Sequence, residues 1–225
     1  QDTYNTLLSE DPKSHEILKP ILRGRDIKHY SHNWAGLWLI TTFPSLNINI
    51  NKYPAIKKHL YSFGINRLEQ SGKKLPDGTK SRKLTGNKWY ETQDQIGYHL
   101  EFEKEKIIYP NMTKYLPFVY DNQNFYTNQK CFIITGKTNL LYLTGFFNSS
   151  IASKWIKDNC PELQGGTREL SKIFFENIPI PPITKHNATI INKIEALVKN
   201  ILALIKSSDY SINNEKQENF VDCRN

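Results

Sequence analysis

The chain has 225 residues, with 30 Lys and Arg against 22 Asp and Glu, a formal net charge of +8 and a pI of about 9.2. Hydrophobic residues make up 38% and aromatic residues 12%, at a mean hydropathy of −0.57, which is enough apolar matter for a packed core and excludes global disorder. No apolar run reaches the roughly 18 residues of a membrane span, so a membrane partner is not expected.

The charge is concentrated. Residues 52–90 hold Lys52, Lys57, Lys58, Arg67, Lys73, Lys74, Lys80, Arg82, Lys83 and Lys88 against only Glu69 and Asp77, while the segments on either side are balanced. A basic segment of this kind points to a polyanion, usually nucleic acid, or else to a solvated lysine-rich loop. The cysteines, Cys131, Cys160 and Cys223, are far apart and lack C-x-x-C spacing, which fits a reducing cytoplasmic compartment better than a disulfide framework or a zinc site. The chain begins Gln1-Asp2 without a methionine, as a piece of a longer polypeptide would.

In chain order, residues 3–18 predict a short helix with Leu7 and Leu8 on one face, interrupted at Pro12. Leu37 to Ile40 reads as a strand ending at Pro44-Ser45, and residues 51–63 as a helix with Tyr53, Ile56, Leu60 and Phe63 at helical spacing. Residues 70–88 have no periodicity and read as a long exposed loop. Short strands follow at 106–110, 117–120 and 130–135, then one helix over 140–157. Residues 163–168 (LQGGTR) form a glycine-hinged loop, 170–176 a short helix, and 178–183 (IPIPPI) an extended stop. Ile191, Ile194, Val198, Ile201 and Ile205 repeat at heptad spacing and predict a helix over 189–207 with Asn187 as N-cap.

No catalytic motif is complete. Gly136-Lys137-Thr138 ends like a phosphate-binding loop, but Cys131 stands where the first glycine belongs. Pro76-Asp77 has no downstream acidic-x-Lys to complete a metal-dependent nuclease motif. Asn177-Ile178-Pro179 is not the Asn-Pro-Pro-aromatic motif that holds a flipped adenine, since Ile178 stands at the first proline and Ile180 at the aromatic. His29 and His32 have no carboxylate or thiol at ligand spacing and read as surface histidines.

What is present suits nucleic acid: lysines and arginines for phosphates, amides and guanidinium groups for base edges, and paired glycines that let backbone approach a phosphate. On this basis Lys73, Lys74, Lys80, Arg82, Lys83 and Lys88 are expected at phosphates or in a groove. Trp89, Gln93, Asn111, Lys114, Asn128, Lys130, Gln164, Gly165, Gly166, Thr167 and Arg168 are candidates for reading or positioning. Metal ligands and catalytic residues are expected to be absent.

Leu18 to Tyr30 (LKPILRGRDIKHY), Tyr53-Pro54-Ala55-Ile56 followed by Leu60, and Lys88-Trp89-Tyr90-Glu91 resemble motifs of the TaqI-like C-terminal specificity domains. So do Phe102 to Pro110 (FEKEKIIYP), Phe125-Tyr126, Leu140 to Ser149 (LLYLTGFFNS) and Ile178 to Pro182 (IPIPP), and all fall in order over residues 18–183. These are the target recognition domains of type IIG restriction–modification enzymes and of related adenine methyltransferases. The chain departs from them at Gln93-Asp94-Gln95, where an arginine is common, so no base contact carries over there.

The resemblance implies an α+β target recognition domain of short, mostly antiparallel strands with a long C-terminal helix. Residues 1–17 would connect to an N-terminal methyltransferase and nuclease part of the same polypeptide. Residues 18–185 would bind double-stranded DNA, 186–208 would form a packing helix, and 209–225 a tail. No cofactor is expected on this piece; S-adenosylmethionine and magnesium would serve the parent enzyme in a prokaryotic cytoplasm. The alternatives are the specificity part of a nuclease-free adenine methyltransferase or of a type I system, and, in another class, a protein-interaction module assembling through the heptad helix.

Overall fold

The computed structural model describes residues 1–137 and 139–207, so the expected tail and Cys223 lie outside the described residues. The fold is α+β. In chain order the elements are α1 (Asp2–Glu10), β1 (Leu18–Leu22), β2 (Ile27–Lys28), β3 (Ser31–His32), β4 (Trp38–Ile40), α2 (Pro54–Tyr61) and α3 (Ile65–Leu68). Then follow β5 (Lys106–Pro110), β6 (Met112–Thr113), β7 (Val119–Asp121), β8 (Tyr126–Thr127) and β9 (Cys131–Ile134). The chain closes with α4 (Leu140–Phe147), α5 (Ser150–Asn159), β10 (Arg168–Glu169), α6 (Lys172–Phe175) and α7 (Ala188–Lys206).

These elements form two compact units, and both share the segment 18–185. The first contains Gln1–Ile21, Gly36–Glu103 and Asn124–Tyr126. In it β1 lies between β4 and β8, with Leu18 opposite Ile40 and Pro20 opposite Trp38. Its core gathers Leu7, Ile17, Leu18, Ile50, Tyr53, Ala55 and Ile56. Pro54 starts α2 at its first turn, where the missing N–H would have had no helical partner. The helical stripe holds for Tyr53 and Ile56, but Phe63 lies beyond the end of α2 and is half exposed.

The lysine-rich loop is ordered, and polar groups order it. Lys74 bridges to Lys80, and the Ser81 N–H donates to the Lys73 carbonyl at 2.9 Å. Buried Gln70 donates from Nε2 to the carbonyls of Lys88 (3.1 Å) and Glu91 (2.8 Å) and accepts from Thr85 Oγ1 at 2.6 Å. Such a scaffold leaves no apolar period, which is why periodicity alone reads the stretch as a bare loop.

The second unit contains Leu22–Ala35, Lys104–Gln123 and the described residues from Thr127 onward. Central β5 pairs antiparallel with β7 and β9, and its five residues are all buried. Lys106 sits directly opposite Asp121 in this ladder. Both side chains are fully enclosed, with Nζ 2.6 Å from Oδ2, and Nζ also donates to the Lys104 carbonyl at 3.3 Å.

Helix α7 packs on α4. A Cβ on Gly145 would stand 2.8 Å from Ile194 Cγ2 and 3.0 Å from Val198 Cγ2, so the two backbones approach as closely as glycine allows. The heptad face is therefore used within the chain, with Ile191 and Val198 buried. Two expectations are corrected. Residues 140–157 form two helices, because Ser149 Oγ accepts the Ala152 N–H at 3.2 Å and caps a new start, while Asn148 Nδ2 donates to the Thr144 carbonyl at 2.9 Å. Asn187 does not cap α7 with its side chain. It ties back the proline segment instead, accepting from the Thr184 N–H at 2.8 Å and donating to the Pro182 carbonyl at 2.9 Å.

A buried ion pair stripped of one member leaves a stranded charge. Asp121→Ala or Lys106→Ala is expected to lose about 3–5 kcal/mol in urea unfolding. Lys106→Met combined with Asp121→Leu is expected to lose far less, and a double variant as unstable as the single ones would contradict this reading of the pair.

Candidate nucleic-acid interface

The second unit contains a cleft of 1090 Å³ built from three segments, 23–33, 111–117 and 128–130. Its geometry starts at a tight turn, Gly24–Asp26. The Arg23 N–H donates to Asp26 Oδ2 at 2.8 Å, and the Arg23 guanidinium donates from Nε to Oδ2 at 3.0 Å and from Nη2 to Oδ1 at 2.7 Å. Asp26 is buried, and its carbonyl accepts the Asn33 N–H at 2.8 Å, which closes the β2–β3 hairpin from below. Burial pushes the Asp26 carboxyl up, but the hydrogen bonds and charge of Arg23 outweigh it and hold the group below its ordinary value of 3.8.

The turn rests directly on the 128–130 segment. A Cβ on Gly24 would stand 3.1 Å from the Lys130 carbonyl oxygen and 3.4 Å from Pro110 Cβ, so only glycine fits without displacing backbone. That same carbonyl accepts the Asn111 N–H at 2.9 Å, and Asn128 Oδ1 accepts the Lys130 N–H at 3.1 Å. Cys131, buried beside them, has its thiol pushed up to about 12 by burial, with the Asp26 charge adding to it, and is chemically inert.

Electrostatically the cleft is one-signed. Arg23 is neutralised by Asp26, and the remaining cations Arg25, Lys28 and Lys130 line the same space, with no carboxylate lining it among the described residues. Arg25, Lys28 and Lys130 are exposed. Asn111 and Asn33 also line it, giving amides able to donate and accept at once.

The structure divides the sequence-derived candidates. Asn111, Asn128 and Lys130 meet in the cleft, and exposed Lys114 lies between two of its lining residues, Thr113 and Tyr115. Gln164, Gly165, Gly166 and Thr167 form a turn in which both glycines take positive φ (74° and 77°), leading into β10. Strand β10 pairs with β6, Arg168 opposite Thr113.

Lys73, Lys74, Lys80 and Lys83 are exposed on the first unit, as is Gln93. Arg82 is placed differently from the expectation of a phosphate contact. Its guanidinium donates to the carbonyls of Leu68 (2.7 Å), Glu91 (2.8 Å) and Trp89, and so pins the loop from within. Arg168 likewise pairs with Glu162 at 2.5 Å. Lys88 Nζ is held by Asn47 Oδ1 (3.0 Å) and Glu91 (3.3 Å), and Trp89 stacks on Tyr61 at 4.8 Å. All four have partners within the fold; Arg82, Lys88 and Trp89 hold a loop that lacks a hydrophobic stripe and needs polar and aromatic anchors, and Arg168 holds the start of β10. The sequence reading missed Arg25, Lys28, Asn33, Met112 and Tyr115, although Arg25 and Lys28 stand within the LKPILRGRDIKHY motif.

The profile of the TaqI-like C-terminal specificity domain matches residues 19–180, and the chain belongs to that family. Among solved structures, the fold is similar to the Type IIL restriction-modification enzyme MmeI in complex with DNA, with a TM-score of 0.59 and 14% identity. The match covers 92% of this chain and 26% of that one, so the chain spans about a quarter of the enzyme's length. No curated protein matches the sequence significantly.

Because Asp26 is held below its unfolded value, its contribution to stability is complete above about pH 4 and is lost as pH falls through the folded value. Urea midpoints measured from pH 6 to pH 3 should fall across that window. Asp26→Asn should start less stable at pH 6 and decline less steeply, and an equally steep decline would contradict the assignment.

Proposed function

We propose that this chain reads duplex DNA as the specificity part of a type IIG restriction–modification enzyme, gripping it through the cationic cleft of the second unit. The observation that carries this is the pairing of Arg23 with Asp26, which leaves Arg25, Lys28 and Lys130 without an ion pair among the described residues in a cleft also lined by the amides of Asn111 and Asn33. Charges of this kind meet phosphates, and amides discriminate base edges. Membership of the specificity-domain family supports the reading, as does a fold shared with an enzyme solved in complex with DNA. The exposed lysines Lys73, Lys74, Lys80 and Lys83 supply further phosphate contacts from the first unit.

On this reading methyl transfer and strand cleavage, with S-adenosylmethionine and magnesium, belong to other parts of the parent polypeptide in the prokaryotic cytoplasm. No helix among the described residues is long and apolar enough to cross a membrane.

Duplex affinity measured against salt, together with selection from a pool of duplexes with a randomised centre, tests the assignment. The Arg25→Ala/Lys28→Ala/Lys130→Ala variant should bind more weakly, flatten the log–log salt slope by about 0.9 for each phosphate it no longer neutralises, and enrich no sequence. The Lys73→Ala/Lys74→Ala/Lys80→Ala/Lys83→Ala variant should lose affinity evenly and keep the sequence preference. A cleft variant that keeps the preference would move the reading surface elsewhere.

A further inference from the structure

Tyr115 lines the cleft, yet 75% of it is exposed, and the backbone that presents it is held on both sides. Its N–H donates to Thr113 Oγ1 at 3.1 Å, and its carbonyl accepts from His29 Nε2 at 2.8 Å. His29 is itself held, its Nδ1 lying 2.8 Å from Asn148 Oδ1. Asn148 is oriented in turn by donating from Nδ2 to the carbonyls of Phe118 (2.8 Å) and Thr144 (2.9 Å).

The next residue, Leu116, has φ of 52° although it is a bulky residue, and its side chain is buried in the main core of the second unit. A left-handed leucine is costly and persists only where the surroundings over-determine it. Here the burial of Leu116 and the His29 latch fix the Tyr115 backbone, and the ring stands exposed.

A large apolar ring held in water by a strained, latched turn has no role in the packing of this unit. The same cleft is lined by Met112, 47% exposed, and by the cations Lys28 and Arg25. Cations to hold a phosphate backbone, with an exposed aromatic ring on a held backbone in the same cleft, match a nucleic-acid base presented at a groove or opened step. Tyrosine suits the task because its two side-chain torsions leave little entropy to lose on contact.

We infer that Tyr115 stacks on, or wedges beside, a base of the bound duplex, and that His29 is the positioning residue that aims it. This rests on the DNA-reading assignment of the cleft.

The test uses the full chain and the duplex that the wild type enriches from a randomised pool, with 2-aminopurine placed at successive positions. Tyr115→Ala should bind about tenfold or more weakly with an unchanged salt slope, because the phosphate-binding cations are untouched. Tyr115→Phe should bind like the wild type. Wild type and Tyr115→Phe should change 2-aminopurine emission at one or two adjacent positions, and Tyr115→Ala should not. His29→Ala should weaken binding less than Tyr115→Ala and add little to it in the double variant, as expected of a residue acting through Tyr115.

Tyr115 is at the surface, so the alanine variant should melt like the wild type. A Tyr115→Ala chain that binds and reports emission as the wild type does would overturn the inference alone. A wild-type chain with no salt-dependent duplex binding would overturn the DNA reading beneath it.

Discussion

The pairing of Arg23 with Asp26 is the interaction on which the cleft depends. A buried carboxylate is tolerable only with a full set of donors, and Asp26 takes them from the backbone and guanidinium of a single residue three positions earlier. That closes a turn tight enough to need Gly24 against the Lys130 carbonyl, and the Asp26 carbonyl then holds Asn33 and the hairpin between them. The chemical result is as important as the geometric one. With Arg23 engaged by Asp26, the neighbouring Arg25 and Lys28 are exposed and form no ion pair among the described residues.

The same pattern of internal pairing runs through both units. Lys106 with Asp121, Arg82 with three carbonyls, and Gln70 with Thr85 and two carbonyls each enclose polar groups that would be destabilising unpaired. In such a chain the number of basic residues says little about the reading surface, because several of them hold the frame. The exposed charges on the cleft and on the 70–88 loop are among those available to a polyanion.

Much of the frame was legible. Periodicity located α2, β4, β5, β9 and α7, and the ordered motifs pointed to the family that the match over residues 19–180 shows. The division of 140–157 at Asn148 was not legible, since apolar residues recur at helical spacing on both sides of Asn148-Ser149-Ser150 and no proline or glycine marks the break. The site was read less well. Lysine density drew attention to 70–88, where Arg82 and Lys88 are anchored, while Arg25 and Lys28 passed as scaffold inside a family motif. The difference lies in pairing that the folded backbone decides: Arg82 is held by the carbonyls of Leu68, Trp89 and Glu91, and backbone acceptors leave no mark in the sequence pattern. Asn111, Asn128 and Lys130, singled out as turn residues flanked by strands, line the cleft because such turns reach the surface.

Whether the duplex lies in the cleft of the second unit is addressed most directly by photo-crosslinking the chain to a bromouracil-substituted duplex, followed by peptide mapping. A duplex held there should crosslink within residues 23–33 and 111–130, with weaker adducts in the lysine-rich loop. Crosslinks confined to residues 70–95, with the cleft peptides unmodified, would contradict that placement.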